Sequence, residues 1–197
     1  MVVDFLGPPQ FTAALILVQR SGEELYSMRN TSRLLAAGAH EAGRAYYPVV
    51  ATSHLAWIAA IFLLIPAASP VLWPLAIVYL ALQLVRVWII GSLGPFWTHR
   101  IITLATTPTV RRGPYRWVQH PNYALTIVET LLLPMVFGAW AVGVIFAAVW
   151  LAVIRYKIVL ENAALQDRRR LAAATAQSGD YRMPALPTAA AKHQPGG

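Results

Sequence analysis

Five stretches of apolar residues, set apart by polar or proline-rich segments, organise this chain. The first runs from about Phe11 to Val18 with Val2 to Leu6 ahead of it, and the Pro8-Pro9 pair interrupts it, which predicts a kinked or half-inserted helix. The second covers Val49 to Ile65 and the third Val71 to Leu93. Between them Pro66-Ala67-Ala68-Ser69-Pro70 is a connection too short and proline-rich for anything but a helical hairpin. The fourth spans Tyr123 to Phe137 and the fifth Ala139 to Ile158, hinged at Gly138. At ~1.5 Å per residue the fourth reaches about 22 Å, short of a ~30 Å hydrocarbon layer, so it predicts tilt or local thinning.

Composition converts this pattern into a class. Apolar residues make up 57% of the 197 and charged residues 12%, more apolar surface than one small core can hide. The expected fold is all-α and integral to the membrane, with about five transmembrane helices and residues 1–185 forming a single domain. Residues 186–197, rich in Pro, Ala and Gly, are expected to be a disordered tail. Cysteine is absent, which excludes disulfides, thiolate metal sites and a cysteine nucleophile. The first ten residues hold Asp4 and no Lys or Arg, unlike a cleavable signal.

Charge placement orients the chain. Arg20, Arg29, Arg33 and Arg44 lie between the first and second stretches; Arg100, Arg111, Arg112 and Arg116 between the third and fourth; Arg168, Arg169, Arg170, Arg182 and Lys192 after the fifth. The two intervening loops carry no Lys or Arg, so by the positive-inside rule all three basic segments face the cytoplasm. The net charge of +8 then reflects orientation and attraction to anionic lipid, and no nucleic-acid motif accompanies it. Within the first basic segment Ser21-Gly22-Glu23-Glu24 reads as a capping box opening a second helix. Leu25, Met28, Leu35 and Ala39 share one face of it, Arg29 and Arg33 another, and Gly38 offers a stop. Such a helix would lie on the membrane surface, as a plain connector or as a lid over a lipid-facing site.

Two ionisable residues fall inside apolar stretches, Arg86 and Glu129. Charge at that depth marks an interior site or a pair, and an Arg86–Glu129 ion pair is the simplest structural account. A non-enzymatic transporter or assembly subunit built on these two residues is the rival functional reading. No protein partner is implied.

The richest chemistry lies in the polar run Arg111 to Tyr123, which enters the fourth stretch, and in Glu161-Asn162-Ala163-Ala164-Leu165, which leaves the fifth. A helix that only crossed a bilayer would not concentrate His, Asn, two Tyr and three Arg at one entrance, because unpartnered polar groups there cost several kcal/mol each, of order 2–7. Each residue also has a plainer reading. Pro121 suits a first helical turn, Tyr115, Trp117 and Tyr123 suit an interfacial belt, and Lys157 with Glu161 forms an i, i+4 pair. His40, His54, His99, His120 and His193 are scattered without ligand spacing, so no metal site is expected.

The order G-x-Y-x-x-x-x-H-P-x-Y, carried by Gly113, Tyr115, His120, Pro121 and Tyr123, together with Glu129 nine positions after the His and the terminal E-N-x-x-L, resembles the isoprenylcysteine carboxyl methyltransferase family. The resemblance covers roughly Gly91 to Leu171. Sterol reductases share an H-P-N-Y-x-G-E pattern, but their Glu would fall at Thr126, which disfavours a nicotinamide enzyme. The stretches Leu93 to Ile102 and Arg29 to Ala39 resemble those of bacterial members that methylate the hydroxyl of alkylpyrones or related polyketide lipids.

This resemblance implies an S-adenosylmethionine-dependent O-methyltransferase acting on a lipophilic small-molecule or lipid-linked acceptor, among membrane lipids. It implies a cytoplasm-facing cofactor pocket built from the loop before the fourth helix and the end of the fifth. Thr107, Pro108, Thr109, Val110, Tyr115, His120, Pro121, Asn122, Tyr123 and Glu161 would hold the cofactor. Lys157 or Arg155 would escort a negatively charged acceptor, and His120 would serve as base for an acceptor hydroxyl. A carboxylate acceptor is already ionised at neutral pH and needs no base. The chain departs from the family at Gln119, where Arg is usual, at Leu125, where Gly is usual, at Asn162 in the place of a second acid, and at Lys157 in the place of Arg. Lys157 loses the planar guanidinium fork that grips a carboxylate, and the departures together favour a smaller or differently shaped acceptor group on a lipid.

Overall fold

The computed structural model describes residues 5–104 and 107–177. Its elements in chain order are α1 (Pro8–Ala36), β1 (His40–Ala42), α2 (Tyr47–Leu64), α3 (Trp73–Leu93), β2 (Ile101–Thr103), α4 (Pro121–Val136), α5 (Trp140–Ala164) and α6 (Gln166–Gln177). Single helical turns at Arg44–Tyr46, Gly94–Phe96 and Gly113–Arg116 join them. Three helical stretches, Arg44–Leu64, Trp73–Phe96 and Trp140–Ala164, are long and apolar enough to cross a bilayer, and the chain is an integral membrane protein. One feature departs from an all-helical fold: β1 and β2 pair antiparallel, Glu41 opposite Ile102. The expected tail, 186–197, lies outside the described residues.

The amino-terminal third differs from the sequence expectation. No break separates a short first helix from a surface helix; α1 is continuous over 29 residues, about 43 Å. Pro8 and Pro9 occupy its first turn, where a missing N–H costs nothing. Ser21 does not cap a new helix, because its hydroxyl bonds back to the Leu17 carbonyl at 2.8 Å, as a mid-helix serine does. Near the start of α1, Gln10 Nε2 donates to the carbonyls of Phe62 and Ile65, both at 2.9 Å, satisfying the open end of α2. The helix therefore runs antiparallel to α2 along its full height, and it stops where expected, with Gly38 at φ 94° just beyond its end.

Arg20 consequently lies within a helix rather than in a loop. It joins a buried quartet: Arg20 Nη1 meets Glu23 at 2.9 Å, Arg20 Nη2 meets Glu129 at 2.9 Å, Arg86 Nε meets Glu129 at 3.0 Å and Arg86 Nη1 meets Glu23 at 3.3 Å. Two cations and two anions leave the cluster neutral, and Gln83 adds a donor to Glu129 at 3.1 Å. The Arg86 side chain is only 3% exposed. The expected Arg86–Glu129 pair is present, enlarged by α1.

Helix packing has equally local causes. Pro134 sits inside α4 without an N–H, which leaves the Thr130 carbonyl four residues earlier lacking its helical donor. Trp57 Nε1 supplies one, at 3.2 Å. Trp57, Ile58 and Ile61 of α2 then join Ala13 and Ile16 of α1 with Leu133 and Val136 of α4 in the main apolar cluster. Gly143 lets α5 approach α4 closely, since a Cβ there would come 2.5 Å from the Leu131 carbonyl oxygen.

Candidate active site

The ends of α3 and α5 meet the start of α4 at one end of the bundle. Asn30 near the carboxyl end of α1 is there too, donating to the carbonyls of Gly94 and Trp97 at 3.1 and 3.0 Å. The polar run is threaded into this end by Gly113, which has φ 56° and whose Cβ, if it had one, would lie 2.1 Å from Ser92 Oγ. Both the left-handed backbone and the close approach require glycine. Arg112 fixes the same turn from outside, donating to the Gly91 carbonyl at 2.8 Å. The chain then turns into α4 at Pro121, its first residue.

A cavity of about 360 Å³ opens here, within the ~300–1,000 Å³ usual for small-molecule sites. Thr109, Val110, Tyr115, His120, Asn122, Tyr123 and Glu161 line it, as does Lys157. Thr107, Pro108 and Pro121 do not. Thr107 is buried behind the wall, where its carbonyl and that of Pro108 accept from Arg168 at 2.6 and 3.3 Å. Pro121 is buried in the first turn of α4, in keeping with its plainer reading as a helix start. Arg155 is likewise outside: it is exposed, and two residues from Lys157 place it about 200° around the helix.

Within the cavity the side chains form a connected set. The rings of His120 and Tyr123 stack, with centroids 5.0 Å apart and planes 8° from parallel. Tyr123 donates its hydroxyl to Glu161 Oε2, and His120 Nδ1 lies 3.7 Å from the same oxygen. His120 Nε2 faces Asn162 Oδ1 at 3.3 Å, and that oxygen also accepts from Arg169 at 2.6 Å. Glu161 is thus committed to Tyr123, and the expected helical pair with Lys157 does not form. Lys157, 7% exposed, instead donates to the His99 carbonyl at 3.0 Å and lies 5.0 Å over the Tyr123 ring. Burial and the Glu161 carboxylate both push the Tyr115 hydroxyl above its ordinary range, so it remains a neutral donor.

Two further features escape a sequence reading. Helix α6 folds over the cavity, bringing Arg168, Arg169, Ala172 and Ala173 to its rim, where the sequence suggested only a basic tail. Burial lowers the Arg168 guanidinium to about 10, which leaves it charged at neutral pH. The loop before β2 adds Trp97 and Arg100. Arg100, Arg111, Arg116, Lys157, Arg168 and Arg169 share the lining with one carboxylate, Glu161, among the described residues; Arg100 is paired with Glu41 behind it at 3.1 Å, and the lining keeps an excess of positive charge. Asn122 Oδ1 and Trp97 Nε1 are buried in its wall without a partner among the described residues. Arg86 and Glu129, on which a transport reading rests, neutralise each other away from it. No group of His, Asp and Glu among the described residues could hold a metal ion.

Comparison with known proteins agrees with the motif. The model of the isoprenylcysteine carboxyl methyltransferase (ICMT) family matches residues 75–167. The uncharacterized protein YpbQ of Bacillus subtilis (strain 168) is 33% identical over 158 residues, 78% of this chain and 94% of the relative. No solved structure matches the chain. Motif, helical architecture and similarity agree, and the chain belongs to the isoprenylcysteine carboxyl methyltransferase family.

Proposed function

We propose that the chain is an integral-membrane O-methyltransferase that uses S-adenosylmethionine to methylate the carboxyl or acidic hydroxyl of an isoprenoid or polyketide lipid. The observation that carries this reading is the convergence of His120, Tyr123 and Glu161 on one cavity that also holds Asn122 Oδ1, unpartnered among the described residues. Family members are methyltransferases that use this cofactor, and the residues present fit it. Its amino groups and ribose hydroxyls need acceptors, which Glu161 and Asn122 provide. Its carboxylate needs a cation, which Arg169 provides, and its sulfonium tolerates the aromatic faces of Tyr115 and Tyr123. Bound there, the cofactor supplies an electrophilic methyl group.

The protein's own work is alignment and exclusion of water. Lys157 would hold the anionic oxygen of the acceptor, having used one of its three N–H groups on the His99 carbonyl among the described residues. Leu93 and the Trp97 ring add apolar surface to the lining. A carboxylate acceptor arrives ionised, whereas a hydroxyl would pass its proton to His120. Fixing two reactants in one geometry can supply about 7–11 kcal/mol of the barrier in favourable cases. The basic residues Arg29, Arg33, Arg44, Arg111, Arg112 and Arg116 cluster toward the cavity end, which supports five crossings with that end in the cytoplasm. Titration of the detergent-solubilised protein with S-adenosylhomocysteine tests the reading. Saturable binding is expected, and its absence at millimolar ligand would sink it.

A further inference from the structure

Thr98 and Arg100 line the cavity, but the residue between them turns its ring toward α1. His99 Nδ1 lies 2.6 Å from Glu24 Oε2, and the other Glu24 oxygen accepts from the Tyr47 hydroxyl at 2.5 Å. One turn along α1, Ser27 Oγ accepts the His99 backbone N–H at 2.8 Å. Glu24 and Ser27 are three residues apart, so they grip His99 by ring and backbone from a single helix face. The His99 carbonyl is the oxygen to which Lys157 donates. A lysine has four rotatable stem bonds and a point charge, and holding it in one rotamer inside a low-dielectric wall requires an acceptor that is itself fixed.

We infer that Glu24, Ser27 and His99 form a clamp that positions the Lys157 ammonium for an anionic acceptor. This rests on the reading of Lys157 as the acceptor-side cation. Glu24 and Ser27 precede the residues matched by the family model, so the clamp is supplied by α1 from outside that segment. They are positioning residues, acting through the loop and touching neither reactant. Glu24 is the accessible member, its side chain 28% exposed, while Ser27 is buried.

The chain contains two lysines, Lys157 and Lys192, which permits a direct test. Purified protein is treated with the N-hydroxysuccinimide ester of acetic acid, and the acetylation rate at each lysine is read by peptide mass spectrometry, with Lys192 as internal reference. Glu24→Ala and Ser27→Ala should each raise the Lys157 rate relative to Lys192 at least fivefold while S-adenosylhomocysteine affinity stays within twofold. Glu24→Gln, which keeps an oxygen for the His99 ring, should restore the wild-type ratio. Wild-type ratios in both alanine variants overturn the clamp, as does a rise that comes only with lost ligand binding, which would mean general loosening. Should wild-type protein fail to bind S-adenosylhomocysteine, the cofactor reading falls while the labelling ratio still decides the clamp.

Discussion

Tyr123 donates its hydroxyl to Glu161, tying the first turn of α4 to the last turns of α5 across 38 residues. The pair closes one wall of the cavity, and its members play unequal parts. Tyr123→Phe keeps the ring stacked on His120 and loses one hydrogen bond, so S-adenosylhomocysteine affinity should fall roughly fivefold, about 1 kcal/mol. Glu161→Ala removes a charged acceptor and should cost roughly 1.5–3 kcal/mol, tenfold or more. Calorimetric titration of both variants checks the order; a larger loss for Tyr123→Phe would misassign the pair.

Lys157 and Arg155 lie two residues apart on α5 but on different sides of it, one buried in the cavity wall and the other exposed. Lys157→Ala should leave S-adenosylhomocysteine affinity within about threefold yet cut methyl transfer at least tenfold, the loss of one charge-assisted contact to an anionic acceptor. Arg155→Ala should change neither. Transfer of labelled methyl groups into organic-soluble lipid of native membranes measures the rate. Equal losses in the two variants would remove Lys157 from the acceptor side.

The helices were legible because their signal is apolar composition over some twenty residues, and the boundaries of α2, α3 and α4 fall within two residues of the apolar stretches. The parts of the candidate site that lie close in sequence could be read together. Gly113, Tyr115, His120 and Tyr123 form one motif whose spacing survives without knowledge of the fold. What escaped depends on contacts between distant segments. Ser21-Gly22-Glu23-Glu24 carries every mark of a helix start, yet helix propensity on both sides and partners for Arg20 and Glu23 on α3 and α4 make continuation cheaper than a break. Arg168 and Arg169 looked like tail charge because nothing local marks a basic helix as folding back over a cavity. Thr107 and Pro108 lie outside the cavity lining for a similar reason: Thr109 and Val110 of the same segment line it, but Arg168 takes the Thr107 and Pro108 carbonyls behind the wall.

Gly113 should be intolerant of substitution. Alanine there must adopt φ near 56° at a cost of roughly 1–2 kcal/mol and also displace Ser92, whose hydroxyl is bonded to the Trp88 carbonyl at 2.7 Å. Gly113→Ala should therefore shift the polar run and weaken S-adenosylhomocysteine binding at least tenfold. Adding Ser92→Gly relieves the contact but not the backbone, and should recover only part of the loss. Full recovery would show that the close approach alone matters.

The buried quartet makes a prediction about stability that separates structure from transport. Glu129→Ala leaves Arg20 and Arg86 to share Glu23, an uncompensated buried cation, and should destabilise the bundle by about 3–5 kcal/mol. Replacing Arg86 and Glu129 together by Met and Leu leaves Arg20 paired with Glu23 at 2.9 Å and restores neutrality, so the double variant should be more stable than Glu129→Ala alone. Denaturation in mild detergent, followed by loss of helical circular dichroism, measures both. Because the quartet lies away from the cavity, the double variant should bind S-adenosylhomocysteine like the wild type. Normal stability with lost ligand binding would instead give these residues a direct part in the cofactor site.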